Sequence, residues 1–473
     1  LKRNVTILGA GLVGSLLAII MRRRGYPVTV YERRPDMRKA TIGVGRSINL
    51  AMSTRGWHAL ELAGLKSDME PLAIPMHGRF LHQPDGSTAF QPYGRNGEAI
   101  YSVSRGELNK RLMSLAEQHG AEIHFNHRCT AVDVPSNTVH LEQTSDTGNT
   151  PSNQRTNESV SQRMSIGADL LFGADGAFSA LRTSYSHMDR VSSEQKYIEY
   201  GYKELSIVPG EGGSFRVEKH ALHIWPRGKF MLIALPNTDG SFTCTLFLPF
   251  EGANSFASLQ DDTSIKAFFE NNFADAIPLM PDYAEQFKAN PTSSLITTRI
   301  SQWRYKDKSA LIGDAAHAIV PFYGQGMNAG FEDCTVLNRL MDQYGEDWDA
   351  MLGEYQRLRK PNGDAVLELA LMNFIEMRDR VADPRFLERK KIEKQIGIRY
   401  PDQFTSIYEL VSFSHTPYAT VMQCIGAQDR LLERIMSEGD FEEACRNESF
   451  NQQLDTWMQE YHEQVQALDF TGQ

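Results

Sequence analysis

The sequence predicts an α/β protein: a Rossmann-like dinucleotide-binding domain, an inserted domain built on an antiparallel β-sheet, and a C-terminal helical region. Three observations carry this. A strand, glycine turn, helix and second strand open the chain between Val5 and Glu32. Short β-rich runs joined by tight turns crowd residues 197–250. Beyond Gly330 the pattern is mostly helical. The expected bounds are 1–75, 100–185 and 297–345 for the first domain, 76–99 and 186–296 for the inserted domain, and 346–473 for the helical region. A chain of 473 residues suits two or three domains.

The opening unit begins with the β-rich run Val5-Thr-Ile-Leu8, followed at once by Gly9-Ala-Gly11-Leu12-Val13-Gly14. Ser15 to Arg24 clusters Leu16, Leu17, Ile20 and Met21 at helical spacing, and Gly25 stops it. Val28-Thr-Val-Tyr31 is a second strand, ending at Glu32 and Arg33. In this setting the glycines admit a pyrophosphate to the helix N-terminus, and Glu32 accepts from ribose hydroxyls.

The unit is then interrupted. A polar loop holds Gly43-Val-Gly45-Arg46, a helix runs from about Ser53 to Leu65, and Met76 to Gln83 reads as strand. Ser102-Val-Ser-Arg105 leads into a helix over Gly106 to His119. Arg105 precedes that helix, where it meets either a flavin phosphate or ribityl chain or only solvent. Ala121–Phe125, Cys129–Val134 and Val139–Leu141 read as strands. Thr144 to Met164, rich in Ser, Thr, Asn and Gln, reads as a surface hairpin or loop. Asp169-Leu-Leu-Phe172 is a buried strand, and Gly173-Ala-Asp175-Gly176 follows it.

The inserted sheet is expected in strands Tyr200–Ile207, Ser214–Val217, Ala221–Trp225, Lys229–Leu235 and Ser241–Leu248. Turns at Pro226–Gly228 and Asn237–Gly240 join the later ones. Alternation puts Thr243, Thr245 and Phe247 on one face of the last strand, and Phe242, Cys244, Leu246 and Leu248 on the other. A helix over Ser264–Phe273 follows, and the chain re-enters the first domain at Ser309-Ala-Leu-Ile312.

After that strand comes Gly313-Asp314-Ala-Ala-His317, a turn from Pro321 to Gly326, and a helix beginning near Met327. Small residues at Gly324, Gly326, Ala329 and Gly330 leave room at the helix N-terminus for something flat and electron-rich. Further helices are expected at Asp347–Pro361, Asp364–Ala382, Asp383–Gly397, Phe404–Val411, Thr416–Glu438 and Phe441–Ala467, the last with charge and amide all round.

Three motifs thus end three apolar strands: the glycine turn near residue 10, Gly-Ala-Asp-Gly near 175, and Gly-Asp-Ala-Ala-His near 315. Ligands of open α/β sheets bind at such strand ends. If the three strands are neighbours, one long ligand crosses all three, and FAD has that length. Its adenosine would lie at Glu32, its pyrophosphate at Gly9–Gly14, its ribityl chain at Asp314 and its ring beyond Pro321. Gly324, Gln325, Gly326, Met327 and Asn328 would face the pyrimidine edge.

The net charge of −10 gives nucleic acid no electrostatic support. Five scattered cysteines, an odd number with no C-x-x-C pair, read as free thiols. No signal peptide and no apolar run near ~20 residues is seen, so a cytoplasmic protein without a membrane anchor is expected.

With its three motifs the chain resembles the class A flavoprotein monooxygenases, the p-hydroxybenzoate hydroxylase fold group. Further blocks narrow the resemblance to the kynurenine 3-monooxygenase family, in its soluble bacterial form. They are Gly45–Ala51, Pro92–Arg95, Leu222–Pro226, Ile233–Asn237, Phe242–Leu248, Pro321–Asn328, Asn373–Met377 and Tyr408–Phe413. The resemblance implies FAD, with NADPH and O2 as co-substrates and no separate nicotinamide domain. L-kynurenine would be hydroxylated to 3-hydroxykynurenine through a flavin C4a-hydroperoxide. Its carboxylate would be held by Arg79, Tyr93 and Tyr408 with Asn373 nearby, against a wall of Ile233, Leu235, Phe247, Pro321 and Phe322. On the residues alone, a planar guanidinium at Arg79 and a phenol at Tyr93 suit a bidentate carboxylate, though Arg79 reads equally as one half of a surface salt bridge. Glu376, beside Met377, meets either the substrate amine or Arg378 or Arg380. Tyr323 stands where one bacterial form of the family carries His and animal forms carry Phe, so no required imidazole is expected there. His317 reads as packed against backbone, and no side chain is assigned as a catalytic acid or base. The alternatives are a class A hydroxylase of another aromatic acid and a non-catalytic FAD-binding protein.

Overall fold

A computed structural model describes residues 2–39, 49–94, 97–143, 162–376 and 384–468. The polar loop at Gly43–Arg46, most of Thr144–Met164, and Met377, Arg378 and Arg380 lie outside the described residues.

The first sheet has six strands in the order Arg304–Tyr305, Ser309–Leu311, Leu170–Gly173, Val5–Leu8, Val28–Tyr31, Glu122–His124. All pair in parallel except the short outer strand Arg304–Tyr305. The three motif strands are neighbours, with Val5 opposite Leu170 and Leu171 opposite Ser309. Every residue of these three strands is buried. That is why they read as unbroken apolar runs: a parallel sheet is covered on both faces. Leu12–Arg23, Arg105–Gln118 and Gly326–Tyr344 are the helices around the motifs. Leu12–Arg23 buries Gly14 to Met21 and stops before Gly25, whose φ of +82° suits only glycine.

The second sheet has seven strands: Ser293–Ile300, Ser193–Ile207, Phe242–Pro249, Met231–Pro236, Leu222–Pro226, Gly78–His82, Thr88–Pro92. Its pairings are antiparallel except between Leu222–Pro226 and Gly78–His82, where Leu222 lies opposite Arg79. The expected alternation holds. Phe242, Cys244, Leu246 and Leu248 pack in a core with Phe268, Phe269 and Phe287 of two covering helices, Asp262–Asn272 and Tyr283–Ala289. Thr245 and Phe247 line a cavity on the other face.

Several expectations are corrected. Ser214–Val217 is irregular chain. Gly212 and Gly213 have positive φ, and the Gly210 N–H closes a loop onto the Ser214 carbonyl. Phe215 and Val217 look strand-like because they pack against the sheet's core. The edge strand Ser293–Ile300 was not anticipated, and the boundary expected at residue 297 falls inside it. Asp347–Pro361 and Asp364–Ala382 are one continuous helix, Trp348–Ile375, running through Pro361. There the Asn362 amide donates to the Leu358 carbonyl, and Gly363 admits the Trp303 ring, so packing outweighs the proline.

The helix expected at Phe404–Val411 is Ile407–Phe413, set by a capping box between Ser406 and Glu409, and Phe404 is core instead. The last helix divides into Phe441–Ala444 and Glu448–Gln466. It is not polar all round. Phe450, Leu454, Trp457, Met458 and Tyr461 recur at helical spacing and pack with Ile392, Ile396, Leu431 and Ile435. Among the described residues no helix is long and apolar enough to cross a membrane, no acid, histidine and cysteine cluster could hold a metal, and all five cysteines are free.

Candidate active site

A cavity of about 710 Å³ follows the carboxyl ends of the three motif strands and continues beneath the seven-stranded sheet. At its first end the glycines act through backbone. A Cβ on Gly9, whose φ is +97°, would stand 2.6 Å from the Ala174 carbonyl oxygen, and one on Gly14 would stand 2.0 Å from that of Gly9. These two glycines let the neighbouring strand ends and the first helix meet. Gly14 therefore serves packing and does not border the cavity. Gly11 is different: a Cβ there meets nothing within 4 Å. No side chain caps the helix that follows, so its first N–H groups face the cavity beside Leu12 and Val13.

Glu32, 4% exposed, accepts from the Ala10 N–H at 2.9 Å, and from the Arg34 N–H at 3.0 Å and Nε at 2.8 Å. Burial works against its charge, but Arg34 and the two N–H groups outweigh it and hold the carboxyl below its usual range. Arg33, Arg34 and Arg105 line the same space. Asp175 accepts from the Ala180 N–H at 2.7 Å with one oxygen, while its other oxygen is buried without a partner. Burial raises its pKa. Arg182, to which the sequence reading gave no role, donates to the Ala315 carbonyl at 3.0 Å and to that of Ala177, tying the second motif to the third.

In the third motif Gly313 has φ +60° and delivers Asp314 to the cavity wall. Pro321–Tyr323 is one 3₁₀ turn. Gly324 follows with φ +66°, and the helix Gly326–Tyr344 begins without a side-chain cap. Pro321, Phe322, Tyr323, Gly324, Gly326 and Met327 line the cavity; Gln325, Asn328, Ala329 and Gly330 do not. Gln325 accepts from the Tyr418 hydroxyl at 2.9 Å. Asn328 accepts from the Ser53 N–H and donates to the Ala51 and Gly324 carbonyls at 2.8–2.9 Å. Both side chains hold the turn from behind. Gly330 serves packing: a Cβ there would stand 2.6 Å from Val13. His317 is 2% exposed and bonds Asp333 at 2.6 Å, stacked on Trp303 and away from the cavity.

At the far end the wall comprises Met231, Ile233, Leu235, Thr245, Phe247, Phe322 and Leu295, with Arg79 and Tyr408. The Arg79 guanidinium lies 4.7 Å from the Tyr408 ring centre and 5.7 Å from that of Tyr93, and the two rings stack at 5.3 Å. Among the described residues Arg79 closes no ion pair. Burial opposes its charge, but Tyr408, Tyr93 and Glu376 hold it firmly protonated. Tyr323 stacks on Tyr408 at 5.8 Å, and burial, then Glu376, pushes its phenol well up. Tyr93 is behind the lining, 7% exposed. Asn373 is also behind it, donating to the Phe322 carbonyl at 2.8 Å, so it braces the turn. Glu376 sits 3.4 Å from Lys390, a partner the sequence reading did not foresee. Two groups were missed: Thr245 on the wall, and Glu204 opposite it, whose carboxyl burial pushes up to about 7 against the nearby Arg105. The alternation of Thr243, Thr245 and Phe247 was the available signal for Thr245.

Comparison with known proteins places these features. The profile of the family described as "FAD binding domain" matches residues 2–370. A kynurenine 3-monooxygenase of Flavobacterium psychrophilum is 46% identical over 96% of this chain and 98% of its own. One of Myxococcus xanthus is 48% identical over 93% and 91%, and one of Dictyostelium discoideum 41% over 93% and 94%. Among solved structures, 2-methyl-3-hydroxypyridine-5-carboxylic acid oxygenase superposes with a TM-score of 0.63 at 20% identity, covering 82% of this chain and 95% of that one. The PqsL protein of P. aeruginosa superposes at 0.62 and 20% identity, covering 80% and 98%. At such identities the structures speak for the fold alone.

Proposed function

The chain belongs to the kynurenine 3-monooxygenase family of FAD-binding aromatic hydroxylases, and from that premise we propose that it uses NADPH and O2 to convert L-kynurenine to 3-hydroxykynurenine. The observation that carries the substrate is Arg79. It is a guanidinium on the cavity wall with no ion pair among the described residues, flanked by two stacked phenols. An enclosed guanidinium with no carboxylate in direct contact is open to one, and the α-carboxylate of an amino acid fits it in bidentate geometry. Tyr408 and Tyr93 complete that clamp, with Asn373 acting through the Phe322 backbone. The aryl ring then rests among the apolar side chains Ile233, Leu235, Phe247, Pro321 and Phe322.

The residues at the other end fit FAD. The bare backbone at Gly11, the uncapped N-termini of two long helices, the buried Glu32 carboxylate and the partnerless oxygen of Asp175 all face or border one elongated space. When bound, FAD supplies hydride acceptance and oxygen activation. The protein does the holding. The N–H groups after Gly11 receive the pyrophosphate, Glu32 accepts from ribose hydroxyls and Asp314 from the ribityl chain. The start of Gly326–Tyr344, uncapped and on the cavity wall, would favour the negative charge that reduction adds to the flavin. In this reading the parallel sheet serves the cofactor and the seven-stranded sheet the substrate.

The test is turnover. Purified protein with bound FAD, given NADPH, O2 and L-kynurenine, is expected to yield 3-hydroxykynurenine by mass. Product from salicylate or p-hydroxybenzoate but none from kynurenine would overturn the substrate. No NADPH oxidation with any aromatic acid would overturn the enzyme reading itself.

A further inference from the structure

Behind the cavity wall runs a line of buried charges that none of these roles uses. Arg55, in the helix Thr54–Leu62, places Nε 3.3 Å from Glu332. Arg359 bridges Glu332 and Asp333, each at 2.7 Å. Asp333 takes His317 at 2.6 Å and the Gly313 N–H at 3.0 Å. The side chains of Arg55 and Asp333 are 0% exposed, those of Arg359 and His317 3%, and that of Glu332 14%. Such arrays rarely out-stabilise an apolar core of the same volume, so what they contribute is position.

The two ends of the line show what is positioned. One end is Gly313, whose positive φ sets Asp314 on the cavity wall. The other is the guanidinium of Arg55, which donates to the Ser414 carbonyl at 2.6 Å and to that of Thr416. Those carbonyls close the carboxyl end of Ile407–Phe413, the helix that carries Tyr408. A fixed cation there satisfies groups the helix cannot pair and complements its dipole. A second tie runs in parallel. Arg55 lies 4.2 Å over the Tyr418 ring, and the Tyr418 hydroxyl donates to Gln325 in the turn before Gly326.

We propose that Arg55 is a positioning residue for substrate binding: held by Glu332, it locks the carboxyl end of Ile407–Phe413 and so sets Tyr408 against Arg79. Substrate affinity then depends on the same helix, Gly326–Tyr344, whose first turn faces the cofactor. This rests on the kynurenine reading above.

The experiment compares FAD-loaded wild type with Arg55→Met, Arg55→Lys and Tyr418→Phe. Dissociation constants for L-kynurenine come from flavin absorbance titrations without NADPH, and KM, kcat, FAD content and Tm are measured beside them. Arg55→Met should weaken binding and raise KM about tenfold, the loss of one charged hydrogen-bonding fork, with kcat at saturation and FAD content held. Arg55→Lys, which keeps the charge but cannot serve two carbonyls, should fall between it and wild type. Tyr418→Phe, which keeps the ring under the cation, should give about threefold. A lowered Tm with unchanged affinity in these variants makes the array merely structural and overturns the proposal. So does a joint fall of kcat and FAD content at constant affinity. If Arg55→Met yields no folded protein, the lysine and phenylalanine variants decide by the same criteria. Wild type that neither binds nor turns over kynurenine overturns the function reading and this inference with it, whereas wild type that does both beside indifferent variants sinks the inference alone.

Discussion

The two ends of the cavity are built by different rules. The cofactor end is backbone: glycines without Cβ, helix N-termini without caps, and strand ends in one parallel sheet. The substrate end is side chain, converging from distant parts of the chain: Arg79 on one strand, Phe247 on another, Phe322 on a turn, Tyr408 on a helix. At Gly9 and Gly14 the backbone tolerates no added atom, because a Cβ there meets main chain. Side-chain sites tolerate changes of shape more readily and fail through lost charge.

The sharpest way to break this contrast is Gly14→Ala. Its Cβ would sit 2.0 Å from the Gly9 carbonyl oxygen. Strain of about 3 kcal/mol at that junction should weaken FAD binding at least about 100-fold, read as cofactor retained after gel filtration. Alanine with full FAD content would refute the backbone account. Next comes Arg79→Met. Losing the charged contacts should raise KM for kynurenine about 30-fold, roughly 2 kcal/mol, with FAD content intact. A variant that sheds FAD instead would show that the two ends are not separable.

Acid gives the smallest effect and separates the ends by pH. His82, three residues beyond Arg79 on the same strand, bonds His223 at 2.9 Å and stacks on Trp225 at 4.0 Å. Burial, then His223, lowers its pKa from the ordinary value of about 6.5 to about 4. Since the folded state disfavours the charged ring, this site's stability is whole above about pH 6.5 and is lost as pH falls towards 4. The loss, about 1–2 kcal/mol, should flatten in His82→Asn. Denaturation midpoints between pH 7 and pH 4, for wild type and variant, measure it; parallel curves would remove His82 as the cause.

The same contrast explains what could be read in advance. The three glycine motifs were legible because their chemistry lies in the main chain and their spacing is local. The adjacency of their strands was only a condition for one ligand to cross all three, and the pairing of the strands supplies it. Gln325 and Asn328 misled, since their place at a helix start suggests a ligand. Their side chains turn back because Tyr418, Ser53 and Ala51 offer buried groups that need partners. On the residues alone Arg79 was as readable as a surface salt bridge, and only the family resemblance singled it out. The Tyr93 and Tyr408 stack was not legible: it depends on a helix whose place is set by Arg55, far earlier in the chain. Pro361 and the stripe from Phe450 to Tyr461 show the same limit, where packing with distant partners overrode a local signal.

The parallel pairing of Gly78–His82 with Leu222–Pro226 carries a consequence for synthesis. On a ribosome adding ~5–20 residues per second, the strand bearing Arg79 emerges with its neighbour still roughly 140 residues unmade and Tyr408 roughly 330 residues unmade. The glycine turn is complete from the start, while the guanidinium spends on the order of ten seconds without its sheet and tens of seconds without its phenol. The clamp of Arg79, Tyr93 and Tyr408 is thus incomplete until late in synthesis. A half-made protein can gather its first strands but has no such clamp.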